Sequence, residues 1–112
     1  MKIQINNLDW EVSIVPNTNP ELISNGCAAA GTTWFMQQKI YLSADLTKDT
    51  VKSVIAHELA HAFLLSTQIR PTHQDAEIEH YSEEEMCNFI SMYGEQIWAL
   101  TYEVYDELYG KN

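Results

Sequence analysis

Basic side chains are scarce in this chain. Lys and Arg number 6 among 112 residues, against 16 Asp and Glu, and the formal net charge is −10. Binding to a phosphate backbone rests on clustered Lys and Arg, so the balance argues against a nucleic-acid partner. It argues equally against an anionic membrane surface. Cysteine is also sparse. Cys27 and Cys87 make neither a disulfide framework nor a closely spaced zinc knuckle, and they read as two partly buried thiols. Long apolar runs are missing. None approaches the ~18–20 residues needed to cross a bilayer. The opening "MKIQINNLDWEV" has one lysine and then alternation, with no apolar leader-like run. A cytoplasmic setting is the default expectation.

What is present suits one globular domain spanning residues 1–112. Apolar residues make up 46% of the chain, and the length supports a single core without obligatory staples. A bound divalent cation would offset part of the negative charge.

Hydropathy patterning divides the chain in two. Ile3 and Ile5 alternate, Asn6-Asn7 marks a turn, and Trp10, Val12 and Ile14 alternate again, which predicts a strand, a turn and a strand. Pro16 and Pro20 frame a loop, and "ELISNG" reads as a short helical turn ending at Gly26. Thr32 to Met36 and Lys39 to Ser43 read as a hairpin turning near Gln37-Gln38. Thr47 or Asp49 then caps a helix over 50–66. Residues 67–81 read as a polar connection. Ser82 caps a second helix over 82–109, with Ser82-x-x-Glu85 forming a capping box and three glutamates suiting the positive end of the macrodipole. Met86, Ile90, Tyr93, Ile97, Leu100, Val104 and Leu108 form its apolar stripe. Gly94 interrupts that helix, which suggests close packing against another element.

The first helix carries "VIAHELAHAFL", which contains H-E-x-x-H at His57, Glu58 and His61. Residues i and i+4 share a helix face, so both imidazoles can reach one metal ion. Glu58 is offset around the same face, where it can take a proton from a water without becoming a ligand. Zinc suits such a site, with three protein ligands and one position kept for water. A bare H-E-x-x-H fixes only three positions and arises by chance, but here it lies inside an apolar helix. No third histidine follows at short range: positions 64 and 67 are Leu and Thr. The remaining ligand should therefore come from "SEEEMCN" on the second helix, where a solvated first turn accounts for some of the glutamates. Helical phase leaves Glu83 and Glu84 both open and disfavours Glu85.

Glu84-Glu85-Met86-Cys87-Asn88 reads E-x-x-x-N. With H-E-x-x-H, this resembles the gluzincins, the thermolysin-like zinc metallopeptidases. The resemblance implies Glu84 as third ligand and Asn88 as the side chain that orients a ligand histidine. The chain is closer still to very small gluzincin-like proteins, the minimal forms often encoded by phages and mobile elements of bacteria. The shared cues are a short N-terminal hairpin, a G-x-T before a strand in "GTTWFMQQKIYLS", the "HELAHAFL" helix, and "EEEMCNFISMYGEQI". ImmA/IrrE-type peptidases, which act on regulatory proteins, share H-E-x-x-H and a later E-x-x-x-N. The chain departs from full-length thermolysin-like enzymes in having no room for their large second subdomain. Their oxyanion-stabilising histidine has no aligned counterpart, and His73, His80, Tyr81 and Tyr93 all stay open for that role. The family keeps an edge strand beside its cleft. That implies a peptide or protein substrate lying along one arm of 34–43, with Trp34 and Phe35 either forming side-chain pockets or serving as core aromatics.

The expected fold is α+β and zincin-like: a small, mostly antiparallel sheet from residues 2–43 packed on two long helices, with zinc between them. The expected function is zinc-dependent hydrolysis of a peptide bond, with Glu58 as general base. The alternatives are a metal-stabilised binding module or antirepressor that cleaves little, and a helical interaction protein with no metal. Intact Glu58 speaks against the first, since a structural zinc needs no general base.

Overall fold

The computed structural model describes residues 1–24, 26–66, 73–75, 78–80 and 83–110. The N-terminal alternation becomes a hairpin. Strands β1 (Lys2–Ile5) and β2 (Leu8–Val15) pair antiparallel, Ile3 opposite Trp10. Asn6 and Asn7 turn the chain with φ of 50° and 67°, the left-handed geometry that a two-residue hairpin loop requires and that asparagine tolerates. The expected helical turn before Gly26 is shorter and earlier. A 3-10 turn covers Pro20–Leu22, with the Asn19 side chain accepting from the Glu21 N–H. The next residues instead form a two-stranded ladder, β3 (Ile23–Ser24) with β4 (Cys27–Ala28).

Strands β5 (Gly31–Trp34) and β6 (Lys39–Ser43) form the second hairpin. β6 inserts beside β2 in parallel, so the main sheet runs β1-β2-β6-β5 and is mixed, with two antiparallel pairings and one parallel. This corrects the expected edge. β6 is central, and the edge beside the helices is Gly31–Trp34 instead of an arm of 34–43. The sheet's inner face carries Ile3, Ile5, Trp10, Val12, Ile40 and Leu42, all buried.

Helix α1 (Val51–Ser66) starts where the Thr47 carbonyl accepts from the N–H groups of Thr50 and Val51, so Thr47 provides the entry rather than Asp49. It buries Val51, Ile55, Leu59, Ala62 and Phe63, the i, i+4 stripe of a core helix. Its last turn is locked to the first hairpin. The buried Trp10 indole donates to the Ser66 hydroxyl at 2.9 Å, and the Asn6 amide donates to the Ser66 carbonyl at 3.1 Å. That carbonyl is one of the groups a helix end leaves without an internal partner.

Within 67–81, foreseen as a polar connection, two short strands pair: β7 (His73–Asp75) and β8 (Ile78–His80). Helix α2 (Glu83–Leu108) follows. The proposed Ser82 cap lies outside the described residues. The apolar stripe of α2 packs on the core as expected through Met86, Tyr93, Ile97, Leu100, Val104 and Leu108, and departs at one position. Phe89, Ile97, Thr101 and Val104 are buried, whereas Ile90 is 63% exposed. Gly94 is not demanded by close packing. A Cβ there would meet only Ile90 of the same helix, at an ordinary 3.5 Å. Cys27 and Cys87 are both exposed, not partly buried, because each falls outside these buried faces. No described helix is long and apolar enough to cross a membrane.

The far end of α2 is tied back to the sheet. The Tyr109 hydroxyl donates to the Ser43 carbonyl at 2.7 Å, and burial pushes its pKa from 10.0 up to about 12. The folded protein therefore holds a proton that the unfolded chain releases near pH 10. The stability this supplies is whole below pH 10 and is lost as pH rises from 10 to about 12. Thermal melts should fall more steeply over that window for wild type than for Tyr109→Phe. Parallel curves would detach Tyr109 from the alkaline loss.

Candidate functional site

The three motif residues come together as their spacing predicts, on the outer side of α1 facing β5. His57 and His61 are exposed, and their Nε2 atoms lie 3.2 Å apart. Their rings meet edge to face at 78°, with centroids 4.8 Å apart. Two nitrogens held at ~2.0–2.1 Å by a tetrahedral zinc would be roughly 3.3–3.4 Å apart. The 3.2 Å separation is a hydrogen bond between the two rings and is also close to that span. Among the described residues, no group of three His, Cys, Asp or Glu side chains is placed to hold a metal ion. Two ligand positions fit; the third is not assembled.

Glu58 differs from its neighbours in burial. It is 7% exposed, one of few charged side chains inside the fold. Its Oε1 accepts a 2.6 Å hydrogen bond from the Thr33 hydroxyl on β5, which also lies 3.2 Å from the Glu58 carbonyl. Gly31, two residues earlier, makes room for the stem. A Cβ at Gly31 would lie 2.9 Å from Glu58 Cγ and 3.3 Å from both the Tyr41 carbonyl oxygen and Val54 Cγ1. Strand residues two apart share a face, so Gly31 and Thr33 both turn toward α1.

These contacts line two adjoining hollows. One, of about 410 Å³, is bounded by Ala30, Gly31, Ser53, Val54, His57 and Glu58. The other, of about 350 Å³, adds Thr32, Thr33, His61 and Leu65 around the same Gly31, His57 and Glu58. Together they form a cleft between the free edge of β5 and the histidine face of α1. His57 also lines an apolar groove of about 380 Å³ between the helices, with Ile90, Gly94 and Trp98 on its α2 wall.

The remaining candidates are placed less directly. Glu84 and Asn88 are exposed on α2, and Glu84 does not join the histidine pair. The Asn88 carbonyl accepts from the Ser91 hydroxyl at 3.2 Å. The Glu83 side chain lies outside what is described. Among the oxyanion candidates, the backbones of His73 and His80 sit opposite each other in the β7–β8 ladder, and Tyr81 lies outside the described residues. The Tyr93 ring packs on Phe63 and Phe89, at 5.9 and 5.6 Å between centroids. Trp34 and Phe35 are 39% and 40% exposed, so neither is a core aromatic. The Trp34 indole donates to the Thr32 hydroxyl at 3.0 Å.

Thr33 and Gly31 are neighbours of Glu58 that reading the residues alone did not assign. Their signal was the G-x-T ahead of the hairpin, whose meaning depends on a partner 25 residues away. Gly31→Ala should destabilise by about 1–3 kcal/mol, the usual cost of forcing an extra carbon into a packed site. An unchanged denaturant midpoint would show that the Glu58 stem yields freely. No protein-family model, curated protein or solved structure matches the chain.

Proposed function

We propose that the protein is a minimal zinc-dependent peptidase of zincin-like architecture. One observation carries the reading: the 3.2 Å span between the Nε2 atoms of His57 and His61, beside a buried carboxylate that a hydroxyl holds in place. A structural zinc would need the histidines but not Glu58. The 3.2 Å separation is also a hydrogen-bond distance between the two rings, so the carboxylate seated on β5 beside them is what favours this reading over a chance H-E-x-x-H.

His57 and His61 would hold the ion, with Glu84 as third ligand on the resemblance to E-x-x-x-N. Bound there, zinc would acidify a water and polarise the scissile carbonyl. Glu58 would accept the water's proton as the new C–O bond forms on the scissile carbonyl carbon, and would then pass it to the departing amine as the peptide C–N bond breaks. Thr33 keeps one carboxylate oxygen engaged. The other has no donor among the described residues and is available for the proton. The substrate backbone adds to the outer edge of β5, whose N–H and C=O groups on that side have no ladder partner among the described residues. Charge then favours a substrate that is not strongly acidic, since the chain carries −10.

The test is a peptide library incubated with metal-free protein, with zinc-loaded protein, and with zinc-loaded protein plus chelator, each compared by mass spectrometry. Cleavage confined to the zinc-loaded sample is expected. No cleavage in any sample would turn the reading toward a metal-stabilised binding module.

A further inference from the structure

Resting on that peptidase reading, we infer that Thr33 is a positioning residue that keeps Glu58 a base and out of the metal's ligand set. Glu58 adjoins His57 in sequence, and carboxylate oxygens also bind zinc, at ~2.0–2.2 Å. With only two histidines on α1, a loose glutamate between them is a natural competitor for the third position. Such a ligand would no longer be free to take a proton.

The structure shows what restrains it. The Thr33 hydroxyl lies 2.6 Å from Glu58 Oε1, within the short range of hydrogen bonds to a charged acceptor. A hydroxyl has one proton to give, and the carboxylate is its nearer acceptor than the Glu58 carbonyl at 3.2 Å. Gly31 leaves the room that the stem occupies, since a Cβ there would approach Glu58 Cγ to 2.9 Å. Thus β5 seats the side chain at two points, by a missing side chain at 31 and a donor at 33. The pull is toward the sheet, and Glu58 makes no three-residue group with His57 and His61 among the described residues. Thr32 and Trp34, on the other face of the strand, bond to each other and take no part. The edge strand that receives the substrate therefore also sets the role of the base.

Cobalt(II), whose visible spectrum reports its ligands, is the probe. Thr33→Val is close in shape and lacks the hydroxyl; Thr33→Ser restores it. In Thr33→Val the cobalt spectrum should change as a Glu58 oxygen joins the metal, and in Thr33→Ser it should match wild type. Thr33→Val/Glu58→Ala should match Glu58→Ala, because the threonine acts only through the glutamate. Peptide cleavage by Thr33→Val should fall about 10–100-fold, mainly in kcat, as for loss of an orienting partner. In metal-free protein, the melting losses of Thr33→Val and Glu58→Ala should be markedly non-additive. A cobalt spectrum in Thr33→Val identical to wild type, or additive melting losses, overturns the inference and leaves the peptidase reading standing. Wild-type protein that takes up no cobalt overturns both.

Discussion

Glu58→Gln should retain zinc and the fold while losing hydrolysis by about 10²–10⁴-fold, the usual contribution of general acid–base catalysis. The substitution keeps the length and planarity of the side chain. Its amide oxygen can still accept from Thr33, so the seat on β5 survives, and the burial at 7% exposure changes little. What is lost is the ability to take a proton at neutral pH. Zinc content by elemental analysis, thermal melts and the peptide library together form the measurement. Equal cleavage by wild type and variant would remove Glu58 from the chemistry, and zinc loss in the variant would make it a ligand. A variant that binds wild-type cleavage substrates without cutting them would also serve to trap a complex along β5.

The site was legible in the sequence to the extent that it is local. His57, Glu58 and His61 lie within five residues of one helix, and helix geometry alone brings the two imidazoles together. The first hairpin was legible for the same reason: Asn6 and Asn7 are adjacent and adopt the positive φ that the turn needs. What depended on contacts between distant segments was not. Nothing in "KIYLS" says that β6 will run parallel beside β2 and leave Gly31–Trp34 as the edge. The Thr33–Glu58 bond joins β5 to α1, and no periodicity records it.

The stripe of α2 was legible too, except at Ile90. Ile90 fits an apolar stripe with Ile97 and Val104, and a stripe is the mark of a buried face. Yet it lies 63% exposed over the groove that His57 also lines, while Phe89 takes the core position. Apolar residues at a groove wall and in a core share one sequence pattern.

The last expected result is the loss of zinc when the ligand set is cut. His57→Ala and His61→Ala should each weaken zinc binding far beyond the ~10–100-fold typical of an orienting partner, because each removes one of the two donors held at the metal span. Glu84→Ala should do the same and should also lower the melting temperature of zinc-loaded protein, because the ion would cross-link α1 to α2 and ligand binding adds to folding stability. Asn88→Ala should stay within the milder range. Glu83→Ala is the decisive companion. Glu83 is the other glutamate that helical phase leaves open at the start of α2. Zinc titrations of the five proteins, read by competition with a chromophoric chelator, rank the candidates directly. Full zinc affinity in Glu84→Ala with loss in Glu83→Ala would move the third ligand by one residue and dissolve the E-x-x-x-N assignment of Asn88. Full affinity in both would leave the histidine pair with water or a substrate group as its remaining ligands.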